Sequence, residues 1–219
     1  MRLLALALSS VVTFASCSSL LVDEDQYTGF LPDYSQLQAT QSPSGAPVRR
    51  WMDPAVDISG YDSVLLHPVV FYPAQKPTAA VPQETLSAIT ALFDQTLGRE
   101  LAKSRPLVST PGPRTLVIKP AITSVSTKNQ GLRAYEYIPI ALIVAGVSDM
   151  TGARDQDTIL NVEIIVSDAS SGKPVALAVR QLKGEELPND STKLTSRDFS
   201  KAFTAAAADA GMILKGAKR

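Results

Sequence analysis

A chain of 219 residues with 45% hydrophobic and 19% charged side chains is long enough for one domain of ordinary size, and its composition is that of a globular protein rather than a disordered chain or a multi-span membrane protein. Its 21 Lys and Arg balance 21 Asp and Glu, so no overall field draws it to nucleic acid or to an anionic bilayer surface. One Cys excludes an internal disulfide and a cysteine-based zinc site. One His argues against histidine metal clusters and a Ser-His-Asp triad, since a triad would have to use His67, which Pro68 follows inside an apolar run.

The chain opens with a basic Arg2 and an apolar stretch from Leu3 to Phe14, too short for a membrane-spanning helix of roughly 20 residues but suited to the core of a signal peptide. Phe14-Ala15-Ser16-Cys17 then resembles the lipobox of bacterial lipoproteins, with Phe14 standing where an aliphatic residue is usual. That resemblance implies cleavage before Cys17 and acylation of its sulfur. Two other readings are an ordinary secretory site and a core helix with a buried thiol. The lipoprotein reading is preferred because it also accounts for the missing Cys elsewhere, and because two or three acyl chains anchor a protein where one binds only marginally. In Gram-negative lipoproteins Ser18 after the Cys implies export to the outer membrane, whereas Asp there would imply retention.

From residue 17 to about Gly60 the sequence is rich in Ser, Gln, Pro and Asp, shows neither helical nor alternating periodicity, and reads as an extended arm. Tyr27, Phe30, Tyr34 and Trp51 are out of place in a free linker. They either pack the arm onto the domain or form an aromatic patch for a partner or glycan.

The domain is expected over residues 61–219. "YDSVLLHPVVFY" suits a buried strand with Pro68 near one end or an edge. Leu86, Ile89, Phe93, Leu97 and Leu101 recur at helical spacing up to Pro106, and "RTLVIKPAITSVST" reads as the next strand, so strand, helix and strand suggest a crossover unit. Ile138 to Val147 is the most apolar stretch, read as a core strand or short buried helix, with a subunit interface or a membrane-inserting hairpin as alternatives. Ile159 to Val166 and Val175 to Leu182 flank a turn containing Asp168 and Gly172, a clear hairpin pattern. The last helix begins at a Thr195 or Ser196 cap, with Phe199, Phe203, Ala206, Ala210 and Ile213 on one face.

Coherent catalytic chemistry does not emerge from these elements. "SSGKP" lacks both the first glycine and the Ser or Thr of a phosphate-binding loop, so it reads as a turn. Arg154, Asp155 and Asp157 could bind a cation or do acid-base work, but alternate residues on a strand share a face and such a group reads better as a solvated ion pair. Glu136, between Tyr135 and Tyr137, has no identifiable companion. Asn189-Asp190-Ser191 is a formal glycosylation sequon, idle behind a bacterial leader.

The segments "YTGFLPDYS" (27–35), "RRWMDP" (49–54), "PGP" (111–113), "GLRAYEYIPIAL" (131–142) and "GARDQDT" (152–158) together resemble a family of proteobacterial lipoproteins known as a domain of unknown function, number thirty-three thirteen. The resemblance implies an envelope location and brings no catalytic residue with it. The order of elements is also similar to envelope lipoproteins whose domain packs two helices on one face of a sheet and acts by binding or assembling.

These readings together give an α+β chain: signal peptide 1–16, lipidated anchor and arm 17–60, and a single mixed or antiparallel sheet carrying two long helices on one face. The expected function is a non-enzymatic binding or assembly role at the outer membrane, facing the periplasm, with a subunit of an export or pore complex and an uncharacterised envelope enzyme as alternatives. No cofactor, metal or nucleic acid is expected. The bilayer through Cys17 and an envelope protein or a second copy of the chain are the expected partners.

Overall fold

The structure, a computed structural model, describes residues 21–75, 77, 82–129, 156–188 and 192–216. Cys17, Glu136, Arg154, Asp155, the stretch Ile138 to Val147 and the sequon at 189–191 lie outside the described residues.

Among those residues seven strands form one mixed sheet: β1 (Gln38–Gln41), β2 (Pro47–Met52), β3 (Ser63–Leu66), β4 (Val70–Phe71), β5 (Thr115–Asn129), β6 (Gln156–Asp168) and β7 (Pro174–Lys183). Their order is β1-β2-β7-β6-β5-β3, with β4 also on β5. All pairs are antiparallel except β3 and β4, which run parallel to β5. Helix α1 (Gln83–Ala102) makes the parallel crossover from β4 to β5, and α2 (Ser200–Leu214) closes the described chain.

The expected hairpin is β6–β7. Asp168 stabilises its turn by accepting from the Ser171 amide at 2.6 Å, while Gly172 supplies a φ of 69° that other residues rarely adopt. The strand expected from Tyr61 to Tyr72 is broken in two. Ile118 and Ile122 offer their carbonyls to the amides of His67 and Tyr72, so Pro120, of the same parity, faces the same neighbour and has no N–H to give. The neighbouring chain leaves the sheet there, at His67 to Val69. The Asp94 carboxylate of α1 accepts the Val69 amide at 2.8 Å, and burial pushes that carboxyl above its ordinary value.

A larger difference lies before residue 61. Residues 38–52 are two strands of the sheet, so the sheet begins within the segment read as an arm. The pattern was invisible because β1 is exposed along its whole length, and because Arg49 and Arg50 on β2 make both of its faces look polar.

Side-chain alternation gives the sheet two different faces. On one, Leu116, Ile118, Ile122, Leu160, Val162 and Leu182 form the main core with both helices. All five periodic residues of α1, Leu86, Ile89, Phe93, Leu97 and Leu101, are buried. Phe93 stacks on Phe203 of α2 with ring centroids 4.5 Å apart. Thr195 is the cap, its amide 2.7 Å from the Asp198 carboxylate. The fully buried stripe of α2 runs through Phe203, Ala207, Gly211 and Leu214, and Ala206 and Ala210 of the expected face are half-buried against the same core. Alanines on both flanks leave little apolar contrast, and contact with α1 sets the rotation. At Gly211 a Cβ would lie 3.2 Å from the Glu100 carbonyl, so the helices approach closely there.

On the opposite face Val22, Leu31, Leu177 and Val179 form a second core beneath the segment 22–37.

Candidate functional site

Two places gather polar groups against apolar surroundings. The first lies on the sheet face opposite the helices. Tyr27, Phe30, Tyr34 and Trp51, singled out in the sequence, all pack around its small core. Tyr27 and Tyr34 stack with centroids 4.4 Å apart, and Phe30 meets Tyr72 at 5.3 Å. The residue that organises them is Glu163, in the middle of β6 and 1% exposed. Its carboxylate accepts the Thr28 amide at 3.3 Å, the Thr28 hydroxyl at 3.0 Å and the Tyr34 hydroxyl at 2.5 Å. Tyr34 in turn accepts the amides of Gly29 at 3.0 Å and Leu31 at 3.2 Å. Beside it, Asn161 donates to Gln26 and accepts from Gln181.

This arrangement is a clasp: a buried carboxyl group has its acceptor oxygens satisfied by hydrogen bonds, with no salt bridge to it among the described residues, and those bonds fix a loop to the sheet. Burial first, then the Glu163 carboxylate, push the Tyr34 hydroxyl above 10.0. Sequence reading passed over Glu163. A signal existed in the strict alternation of Asn161 and Glu163 with Leu160, Val162 and Ile164, which marks one face of β6 as polar yet in a sheet interior.

The second place is a cavity of about 80 Å³ between the helix layer and the β2–β7 side of the sheet. Phe93, Leu97, Val162, Ile164 and Leu182 supply apolar walls, and Arg180 and Asp209 stand at its polar side. Arg180 Nη1 and Asp209 Oδ2 are 2.7 Å apart, with side chains only 14% and 3% exposed. Asp209 also accepts the Ser44 amide and hydroxyl, each at 2.8 Å, so α2 is tied to the β1–β2 turn. Burial alone would raise the Asp209 carboxyl. Hydrogen bonds from Ser44, Ser42 and Arg180 outweigh it and hold the group below its ordinary value. Arg180 Nε is buried with no hydrogen-bond partner among the described residues. With its carboxylate committed to four donors, the arrangement suits holding an apolar group rather than moving protons. Asp209 stands in "AAAADAG", where one acid in an alanine run on a core-facing helix was the available clue.

Of the weak polar cluster only Asp157 is described. It pairs with Lys183 at 2.9 Å, and Lys183 also reaches Glu186 at 3.2 Å. Among the described residues no three His, Cys, Asp or Glu are placed to hold a metal ion, and no helix is long and apolar enough to cross a membrane.

The family described as "Protein of unknown function (DUF3313)" matches residues 26–210. An uncharacterized lipoprotein of Escherichia coli K12, YdcL, is 40% identical over 207 residues, which cover 94% of this chain and 93% of that one. Among solved structures, the hypothetical protein CT253 of Chlamydia trachomatis is 14% identical with a TM-score of 0.44, over 71% of this chain and 99% of that chain. The PelC dodecamer of Paraburkholderia phytofirmans is 15% identical with a TM-score of 0.40, over 74% of this chain and 96% of that chain.

Proposed function

Because the chain belongs to the DUF3313 family, we propose that it is a lipoprotein acylated on Cys17, exported to the outer membrane, whose single domain acts by binding rather than by catalysis. The observation that carries the anchor is 40% identity, across 94% of the chain, to a protein named a lipoprotein, joined to a signal-peptide core ending in Ala15-Ser16-Cys17. Ser18 after the Cys supports export to the outer membrane. The binding reading is supported by the cavity beside Arg180 and Asp209, whose walls are largely apolar and whose polar side carries the Arg180–Asp209 ion pair.

The test is fractionation and intact mass. The wild-type protein is expected in the membrane fraction with the added mass of its acyl chains, and Cys17→Ser in the soluble envelope fraction with the mass of bare polypeptide. A Cys17→Ser protein that stays with the membrane, or a wild-type protein without added mass, would refute the anchor. Binding is tested by soaking the purified domain with short-chain apolar probes and following the Phe93 and Leu182 side-chain resonances. Saturable shifts confined to the cavity are expected, and none across the series would remove the cavity as a binding site.

A further inference from the structure

The distance from Cys17 to the point where the chain becomes fixed to the domain has consequences for orientation. Val22 is 1% exposed in the second core, and its carbonyl accepts Arg49 Nε at 3.1 Å. From there the chain is held continuously, through the Gln26–Asn161 bond, the Thr28 and Tyr34 bonds to Glu163, and burial of Leu31. Only residues 18–21 separate Cys17 from Val22. Five peptide steps reach at most about 18 Å even when fully extended.

Resting on the anchor proposed above, we infer that this short tether presents the face covered by residues 22–36 to the lipid bilayer and leaves the α1–α2 layer, with its cavity, facing water. The tether leaves from the face opposite the helices: Arg49 and Val179, which flank Val22, project away from the main core, as do Asn161 and Glu163. A domain of this length has a radius of gyration of about 16 Å and is about 40 Å across, so passing from one face to the other around its surface takes a path of about 60 Å. A tether of about 18 Å cannot make that turn.

Length, not adhesion, sets the orientation. The exposed side chains nearest the exit, Asp23, Glu24 and Asp25, are acidic and offer no attraction to phospholipid headgroups. An incoming ligand or protein therefore meets the cavity between Arg180, Asp209 and the helices from the aqueous side.

The sole native Cys is consumed by its lipid, so one introduced thiol can be labelled without competition. Gln36→Cys lies on the segment face and Ala205→Cys on the exposed side of α2; both residues are exposed. Each acylated full chain is reconstituted in phosphatidylethanolamine–phosphatidylglycerol vesicles, labelled with a fluorescent donor, and read against headgroup acceptors. Transfer at least about twofold greater from Gln36→Cys than from Ala205→Cys is expected, because the two positions are separated by most of a domain about 40 Å thick. Inserting about 20 Gly and Ser residues between Ser19 and Leu20 is expected to erase the difference, since such a linker frees the domain to rotate. A protein that does not float with the vesicles sinks the anchor and the orientation together. One that floats but gives equal transfer from both labels sinks the orientation alone. A difference that survives the insertion shows that something other than tether length sets it, and overturns the inference.

Discussion

Tyr34→Phe removes a single oxygen and tests the clasp at its centre. The hydroxyl makes three bonds: it donates to a carboxylate that is 1% exposed, and it accepts two backbone amides, of which Leu31 belongs to a buried residue. Losing a hydrogen bond to a charged, buried acceptor costs about 1.5–3 kcal/mol, and stranding the Leu31 amide adds about 1 kcal/mol, while water can replace the partner of exposed Gly29. The sum is about 3 kcal/mol. For a chain of this size that corresponds to a fall in Tm of about 6–12 °C.

Trp51, the only tryptophan, packs against the same cluster, so urea unfolding followed by its emission reports on the clasp directly. Pairing Tyr34→Phe with Glu163→Gln in a double-mutant cycle should give a coupling of at least about 1 kcal/mol. A Tyr34→Phe protein within about 0.5 kcal/mol of wild type, or a coupling near zero, would show that the 22–37 segment is held by apolar contact alone. The pH dependence has a definite sign. Folding raises the Tyr34 hydroxyl above 10.0, so its contribution is intact below pH 10 and is lost as pH rises through the folded value. Wild type and Tyr34→Phe should converge in stability only in that alkaline range.

Asp209→Asn should cost about 3–5 kcal/mol at neutral pH in chemical denaturation, because it leaves the Arg180 guanidinium buried beside an uncharged amide. Folding holds the Asp209 carboxyl below its ordinary 3.8, so that contribution is present above about pH 4 and lost as pH falls through the folded value; the gap between wild type and variant should close in acid. Phe93→Ala should cost about 3–5 kcal/mol by the same measurement, removing a ring that is 1% exposed and stacked on Phe203. Gly184→Ala should lower stability by at least about 1–3 kcal/mol in thermal unfolding, since its Cβ would meet the Thr158 hydroxyl and come within 2.8 Å of both the Asp198 carbonyl and the Phe199 ring; an unchanged Tm would mean the β7–α2 connection yields freely.

What the sequence determined by itself is whatever depends on near neighbours along the chain. The spacing of Leu86, Ile89, Phe93, Leu97 and Leu101 fixed α1 because an amphipathic stripe repeats every three or four residues regardless of what covers it. The β6–β7 hairpin followed from two apolar runs around Asp168 and Gly172, and the Thr195 cap from local hydrogen bonding. The aromatics Tyr27, Phe30, Tyr34 and Trp51 were legible as a group too hydrophobic for a linker.

Tertiary structure alone decided what depends on distant partners. β1 and β2 carry too little apolar contrast to reveal themselves, and only pairing of β2 with β7, more than 120 residues away, makes them strands. The break between β3 and β4 is imposed from across the ladder by Pro120. Glu163 and Asp209 look like surface acids in one dimension; they are tolerated inside because Thr28, Tyr34, Ser44 and Arg180 arrive from remote segments to supply their hydrogen bonds. A buried charge is stable only where its partners converge, and convergence is a property of the fold rather than of the neighbouring residues.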